Sequence, residues 1–107
     1  MMLRRIVLGV VTVMVAAQVA GAATDHKINQ QNKSFSTKEI AIAAGDSITF
    51  VNADEVAHNV YSVTPGLEFE LRTQAPGKSD LVKFDKAGTL TVECAIHPKM
   101  KLQVTVK

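Results

Sequence analysis

The stretch Cys94-Ala95-Ile96-His97-Pro98-Lys99-Met100 holds the chain's only cysteine, a histidine three residues on and a methionine three beyond that. A thiolate, an imidazole and a thioether form a soft donor set, which favours copper over magnesium, calcium or manganese. Three donors leave such a site incomplete, and the other two histidines are His26 and His58. His58 falls in a segment with strand character, whereas His26 lies in a polar stretch close behind the N-terminal leader. His58 is therefore expected to supply the fourth donor, and His26 is expected to be solvated. Two histidines and a cysteine with a weak axial methionine make up the pattern of a blue-copper electron-transfer centre, so His58, Cys94, His97 and Met100 are the candidate ligands. Taken singly, Cys94, His97 and Met100 each have a plainer explanation: a buried thiol, a loop histidine, a core-filling methionine. Their joint occurrence in one short loop between two strands favours a metal.

The rest of the chain must aim these donors. Apolar and polar residues alternate in residues 35–42, 47–52, 56–63, 67–73, 81–84, 89–94 and 101–107, and turn signals separate them at Ala44-Gly45-Asp46, Thr64-Pro65-Gly66, Ala75-Pro76-Gly77 and Asp85-Lys86-Ala87-Gly88. Helical spacing is weaker than this period of two throughout the segment after the leader. About seven short strands predict an all-β fold, a Greek-key β-sandwich of two packed antiparallel sheets. Residues 24–33 show no periodic apolar pattern and read as a polar tail. Strand parity directs the donors. Cys94 shares a face with Leu90 and Val92, Met100 with Leu102, Val104 and Val106, and His58 with Val56 and Val60, so all three are expected to point inward near one end of the sandwich. His97 is left near the tip of the connecting loop.

The first residues read as a targeting segment. Arg4 and Arg5 precede an apolar run over residues 6–15, and Ala20-Gly21-Ala22 offers small residues for cleavage, so residues 1–22 are expected to be a signal peptide and residues 23–107 the working domain. The expected location is the periplasm, with no stable membrane insertion after cleavage. Beyond the leader, ten lysines and arginines face ten aspartates and glutamates. A net charge near zero argues against nucleic acid as a partner. A lone cysteine in an exported chain has no internal disulfide partner, which leaves metal binding as its more telling use.

The chain resembles the small cupredoxins. The resemblance rests on the loop from Cys94 to Met100, on His58-Asn59, and on Gly45-Asp46-Ser47-Ile48-Thr49-Phe50-Val51-Asn52. Two residues between each pair of loop ligands look most like the amicyanin type, since plastocyanins and pseudoazurins space the histidine and methionine further apart. The resemblance implies one type 1 copper with His58, Cys94 and His97 equatorial and Met100 axial. It also implies that Asn59 hydrogen-bonds across to the cysteine loop. His97 is then expected to reach the surface inside an apolar rim formed by Ile96 and Pro98, with Lys99 and Lys101 beside it. The expected function is a monomeric, non-enzymatic carrier of single electrons that meets redox proteins, of cytochrome or dehydrogenase type, transiently. A copper chaperone or copper-storage protein is the alternative, although such sites are expected to use more methionines and histidines than this chain offers.

Overall fold

The computed structural model describes residues 22–107. Most of the segment read as a signal peptide, residues 1–21, therefore lies outside the described residues. Nine strands form two sheets: β1 (Asp25–Gln31), β2 (Ser34–Phe35), β3 (Glu39–Ile42), β4 (Ser47–Asn52), β5 (His58–Ser62), β6 (Phe69–Gln74), β7 (Ser79–Lys83), β8 (Gly88–Cys94) and β9 (Lys101–Val106). One sheet runs in the order β2-β1-β4-β7, the other β3-β9-β8-β5-β6. Among the described residues no helix is long and apolar enough to cross a membrane.

The inward faces follow the alternation. Ile48 and Phe50 from β4 meet Val60 from β5, Leu90 and Val92 from β8, and Leu102, Val104 and Val106 from β9. Phe69 bridges the layers, with its ring 5.8 Å from that of Phe50 and 5.9 Å from that of Phe84. Burial of these side chains, at about 1.5–3 kcal/mol each, drives the sheets together and holds register, because a slip of one residue would turn every core side chain outward.

The structure departs from three expectations. The sheets are mixed rather than antiparallel, since β1 runs parallel to β4 and β3 parallel to β9. The polar tail is in fact a strand. β1 alternates as a strand should, but its inward residues are Ile28 and the fully buried Gln30, so its pattern is carried largely by a polar side chain. Gln30 enters the core by bonding to Gln74: its Nε2 donates to Gln74 Oε1 at 2.7 Å, while Gln74 Nε2 donates to Phe50 O and Asp80 Oδ2. A buried amide is tolerated only with such partners. His26 is likewise fixed rather than solvated. Its Nε2 lies 2.9 Å from Asp46 Oδ2, and Asp46 also accepts the backbone N–H groups of Thr24 and Ala43. Three hydrogen bonds, that from His26 foremost, pull the Asp46 carboxyl down to about 2.

β1 and β2 meet in a two-residue turn, Asn32-Lys33, with φ of 53° and 55°. Left-handed backbone at both positions is the geometry that matches strand twist in a tight hairpin, and lysine is a poor residue for it. The Lys33 N–H donates to Asp54 Oδ2 at 2.8 Å, which ties the turn to the loop between β4 and β5.

Candidate metal centre

The four candidate donors arrive from three places. His58 opens β5, Cys94 closes β8, and His97 and Met100 lie in the loop that leads into β9. Strand pairing brings the first two together, because Val60 lies opposite Cys94 across the β5–β8 ladder. His58, Cys94 and Met100 are buried and His97 is half-buried. Val56, expected to share their inward face, is instead 37% exposed, because β5 begins only at His58 and the residues before it belong to the loop.

Three donor atoms converge. Cys94 Sγ lies 3.7 Å from His58 Nδ1 and 3.8 Å from His97 Nδ1, and the two Nδ1 atoms are 3.1 Å apart. The point equidistant from all three corners of that triangle lies about 2.1 Å from each. Bonds from a first-row metal to imidazole nitrogen and thiolate sulfur run about 2.0–2.3 Å. The donors therefore fit one metal ion without moving. Met100 is buried at the end of the same loop, its N–H donating to His97 O at 3.0 Å, so the loop closes as a turn that joins the two residues.

The surroundings decide which nitrogen of His58 faces the centre. Its Nε2 lies 3.0 Å from Asp54 Oδ2, and the Lys33 and Glu55 N–H groups also donate to this carboxylate. These bonds, that from Lys33 foremost, hold the Asp54 carboxyl down at about 2. At neutral pH it is ionised and can only accept, so Nε2 carries the proton and Nδ1 presents a lone pair to the centre. Asp54 is not among the candidates that the sequence offers; its one signal there is a carboxylate four residues before a candidate histidine. Asn59 bonds across to the cysteine loop, as the resemblance implies. The cross-link to the cysteine loop is made by its backbone: Ala95 N–H donates to Asn59 O at 3.0 Å, and Asn59 N–H donates to Cys94 Sγ at 3.3 Å. Its side-chain oxygen, Oδ1, is buried without a partner. The bond to sulfur removes electron density from the thiolate, a lever on the potential of a bound metal.

Comparison with known proteins agrees with this geometry. The sequence model of the copper binding proteins of the plastocyanin/azurin family matches residues 22–107. The chain belongs to that family. Amicyanin from Paracoccus denitrificans is 30% identical over 96 residues, 86% of this chain and 71% of that protein. The methylamine utilization protein MauL from Methylorubrum extorquens is 26% identical over 106 residues, 98% of this chain and 93% of that protein. Among solved structures, a copper(I) form of an amicyanin variant superposes with a TM-score of 0.72 at 26% identity, covering 86% of this chain and 89% of the other. A purple cupredoxin from Nitrosopumilus maritimus, at 24% identity and a TM-score of 0.69, shares the fold over 78% of this chain and 100% of its own. The cofactor of this plastocyanin/azurin-family chain is one type 1 copper, and the soft, converging donor set is suited to it.

Proposed function

We propose that residues 23–107 form an exported, periplasmic carrier of single electrons, that residues 1–22 are removed as a signal peptide, and that His58, Cys94, His97 and Met100 would hold the copper. The observation that carries this reading is the triangle of Nδ1, Nδ1 and Sγ, whose centre is one metal–ligand bond length from every corner. Bound there, copper supplies a one-electron couple; everything else is work done by the chain. A carrier must change charge without rebuilding its ligand shell. Here both imidazoles and the thiolate are held in place by Asp54 on His58, by the Asn59 backbone on Cys94, and by the turn that joins His97 to Met100. Pro98 adds stiffness after His97 and brings no N–H that would need a partner.

His97 supplies the route to a partner. It is the half-buried ligand, flanked by exposed Ile96 and Pro98, so an electron can cross the imidazole while the other donors stay sealed in the core. The donors that cluster among the described residues are His58, Cys94 and His97, a soft set suited to an electron carrier. Its partners are redox proteins of the same compartment, met transiently, and the relatives named for methylamine utilization suggest amine oxidation as a context.

The test is the visible and electron paramagnetic resonance spectrum of the mature chain with Cu(II), beside a Cys94→Ser variant. An intense blue thiolate-to-copper band with narrow hyperfine splitting, lost in the variant, is the expected result. A pale tetragonal copper spectrum indifferent to Cys94→Ser would sink the reading in favour of copper handling.

A further inference from the structure

Two surface grooves meet beside the copper-binding loop, and both are basic. One is lined by Lys33, Ile96, His97, Pro98 and Lys99. The other runs along the flank of β9, with Phe35 and Met100 in its lining and Lys38, Lys99 and Lys101 around them. Lys99 belongs to both. Neither groove has an aspartate or glutamate in its lining, whereas grooves elsewhere carry Glu39, Glu68, Glu70 or Asp85. The lysine ion pairs among the described residues are Lys78–Asp80 and Lys83–Asp85, so none of the four groove lysines is paired. Glu93 stands opposite Lys101 in the strand register without closing an ion pair. Asp54, the acidic group nearest Lys33 by hydrogen bonding, is already held by the Lys33 backbone and by His58.

The geometry points to a docking surface for an acidic redox protein, with Ile96 and Pro98 seating over the electron path at His97 and Lys33, Lys38, Lys99 and Lys101 receiving the partner's carboxylates. This rests on the electron-carrier reading and names its class of partner. The domain as a whole is near neutral, so attraction arises from the one-sided placement of charge rather than from an excess of it. A field concentrated on one flank orients an approaching partner as well as attracting it. The layout is also that of a protein interface: an exposed apolar residue, Ile96 at 51%, beside a charged rim. A small anion would use the lysines and leave the apolar seat idle. Because the second groove includes Met100 in its lining, a partner lying along it covers the Met100 end of the loop as well as the His97 side.

The experiment uses the copper-loaded mature protein, reduced, passing one electron from Cu(I) to the ferric haem of a c-type cytochrome. Two cytochromes serve as probes, one acidic and one basic. Lys38→Gln with Lys101→Gln removes two charges from the groove while leaving the ligand loop intact. Lys27→Gln with Lys107→Gln removes two exposed charges elsewhere. The groove pair is expected to slow transfer to the acidic cytochrome about tenfold at low salt, within the range of electrostatic steering, and the deficit should close as salt rises. The control pair should change it less than twofold, and the basic cytochrome should not be slowed by either pair. Equal losses in both pairs, no loss in the groove pair, or a native rate with the acidic cytochrome that is flat or rising with salt would each overturn the proposal. The blue band, recorded on every preparation, separates the two ideas: present with no groove effect, only the docking surface fails; absent, the electron-carrier reading fails and takes the docking surface with it.

Discussion

At the scale of single residues, the site depends on groups that never touch the metal position. Asp54 is the clearest. It accepts from His58 Nε2 and from the Lys33 backbone, and so fixes both the tautomer and the direction of the imidazole. Asp54→Ala is expected to weaken copper affinity about 10- to 100-fold, the usual effect of losing a partner that orients a metal-bound histidine. Competition against a chelator of known affinity measures this, and an unchanged affinity would show that core packing alone orients His58. A second residue-scale prediction concerns Gln74, buried and bonded to Gln30, Phe50 and Asp80. Gln74→Ala strands the Gln30 amide in the core, where Gln30 Oε1 already lacks a partner, and is expected to cost about 2–3 kcal/mol in urea unfolding. A loss below about 0.5 kcal/mol would mean that water replaces the lost bonds.

At the scale of elements, β1 is held by side-chain bonds at both ends rather than by an apolar stripe. Near its start, Asp46 accepts from His26 and from the Thr24 backbone. The Asp46 carboxyl is lowered from 3.8 to about 2 on folding, so its contribution is complete above about pH 4 and is lost as pH falls through about 2. The stability difference between the native protein and Asp46→Asn should therefore shrink as pH falls below about 4, as followed by circular dichroism. A difference that keeps growing as pH falls from about 4 to 2 would contradict the assignment. At the other end of β1, the Asn32-Lys33 turn places a lysine in left-handed backbone. Lys33→Gly relieves that conformation and keeps the N–H bonded to Asp54, so a gain of about 1 kcal/mol is expected in the same urea assay.

At the scale of the whole molecule, the metal site sits at one end of a core that is built without it. The clustered residues Ile48, Phe50, Val60, Leu90, Leu102 and Val104 supply the sheet-to-sheet contact, and none is a candidate ligand. The copper-free protein is thus expected to remain folded by circular dichroism, unlike small domains that need metal to fold at all, and copper should raise its Tm through binding to the native state alone. Cys94→Ser should keep the fold and lose most of the copper-dependent rise. Collapse of the copper-free chain to a random-coil spectrum would show that the ligand loop is part of the folding core.

Much of this protein could be read from order and spacing. Period-two alternation over Ile48, Phe50, Leu90, Val92, Leu102 and Val104 is set by chain geometry, so it disclosed the sandwich and the inward aim of Cys94 and Met100. The donors of the short loop identified themselves by chemistry, because no other stretch of the chain combines two sulfurs and an imidazole. What sequence could not supply was pairing between distant strands. β1 lacks an apolar stripe and becomes a strand only because parallel β4 accepts its backbone and Gln74 accepts Gln30. His26 has the same composition-level appearance as a solvated residue, and only the position of Asp46, twenty residues away, fixes it. The convergence of His58 Nδ1, His97 Nδ1 and Cys94 Sγ to within one ion's reach, and the Asp54 bond that turns His58 towards it, were decided by the tertiary structure, since distances between residues 36 and 39 apart in sequence are set by strand pairing and not by local preference.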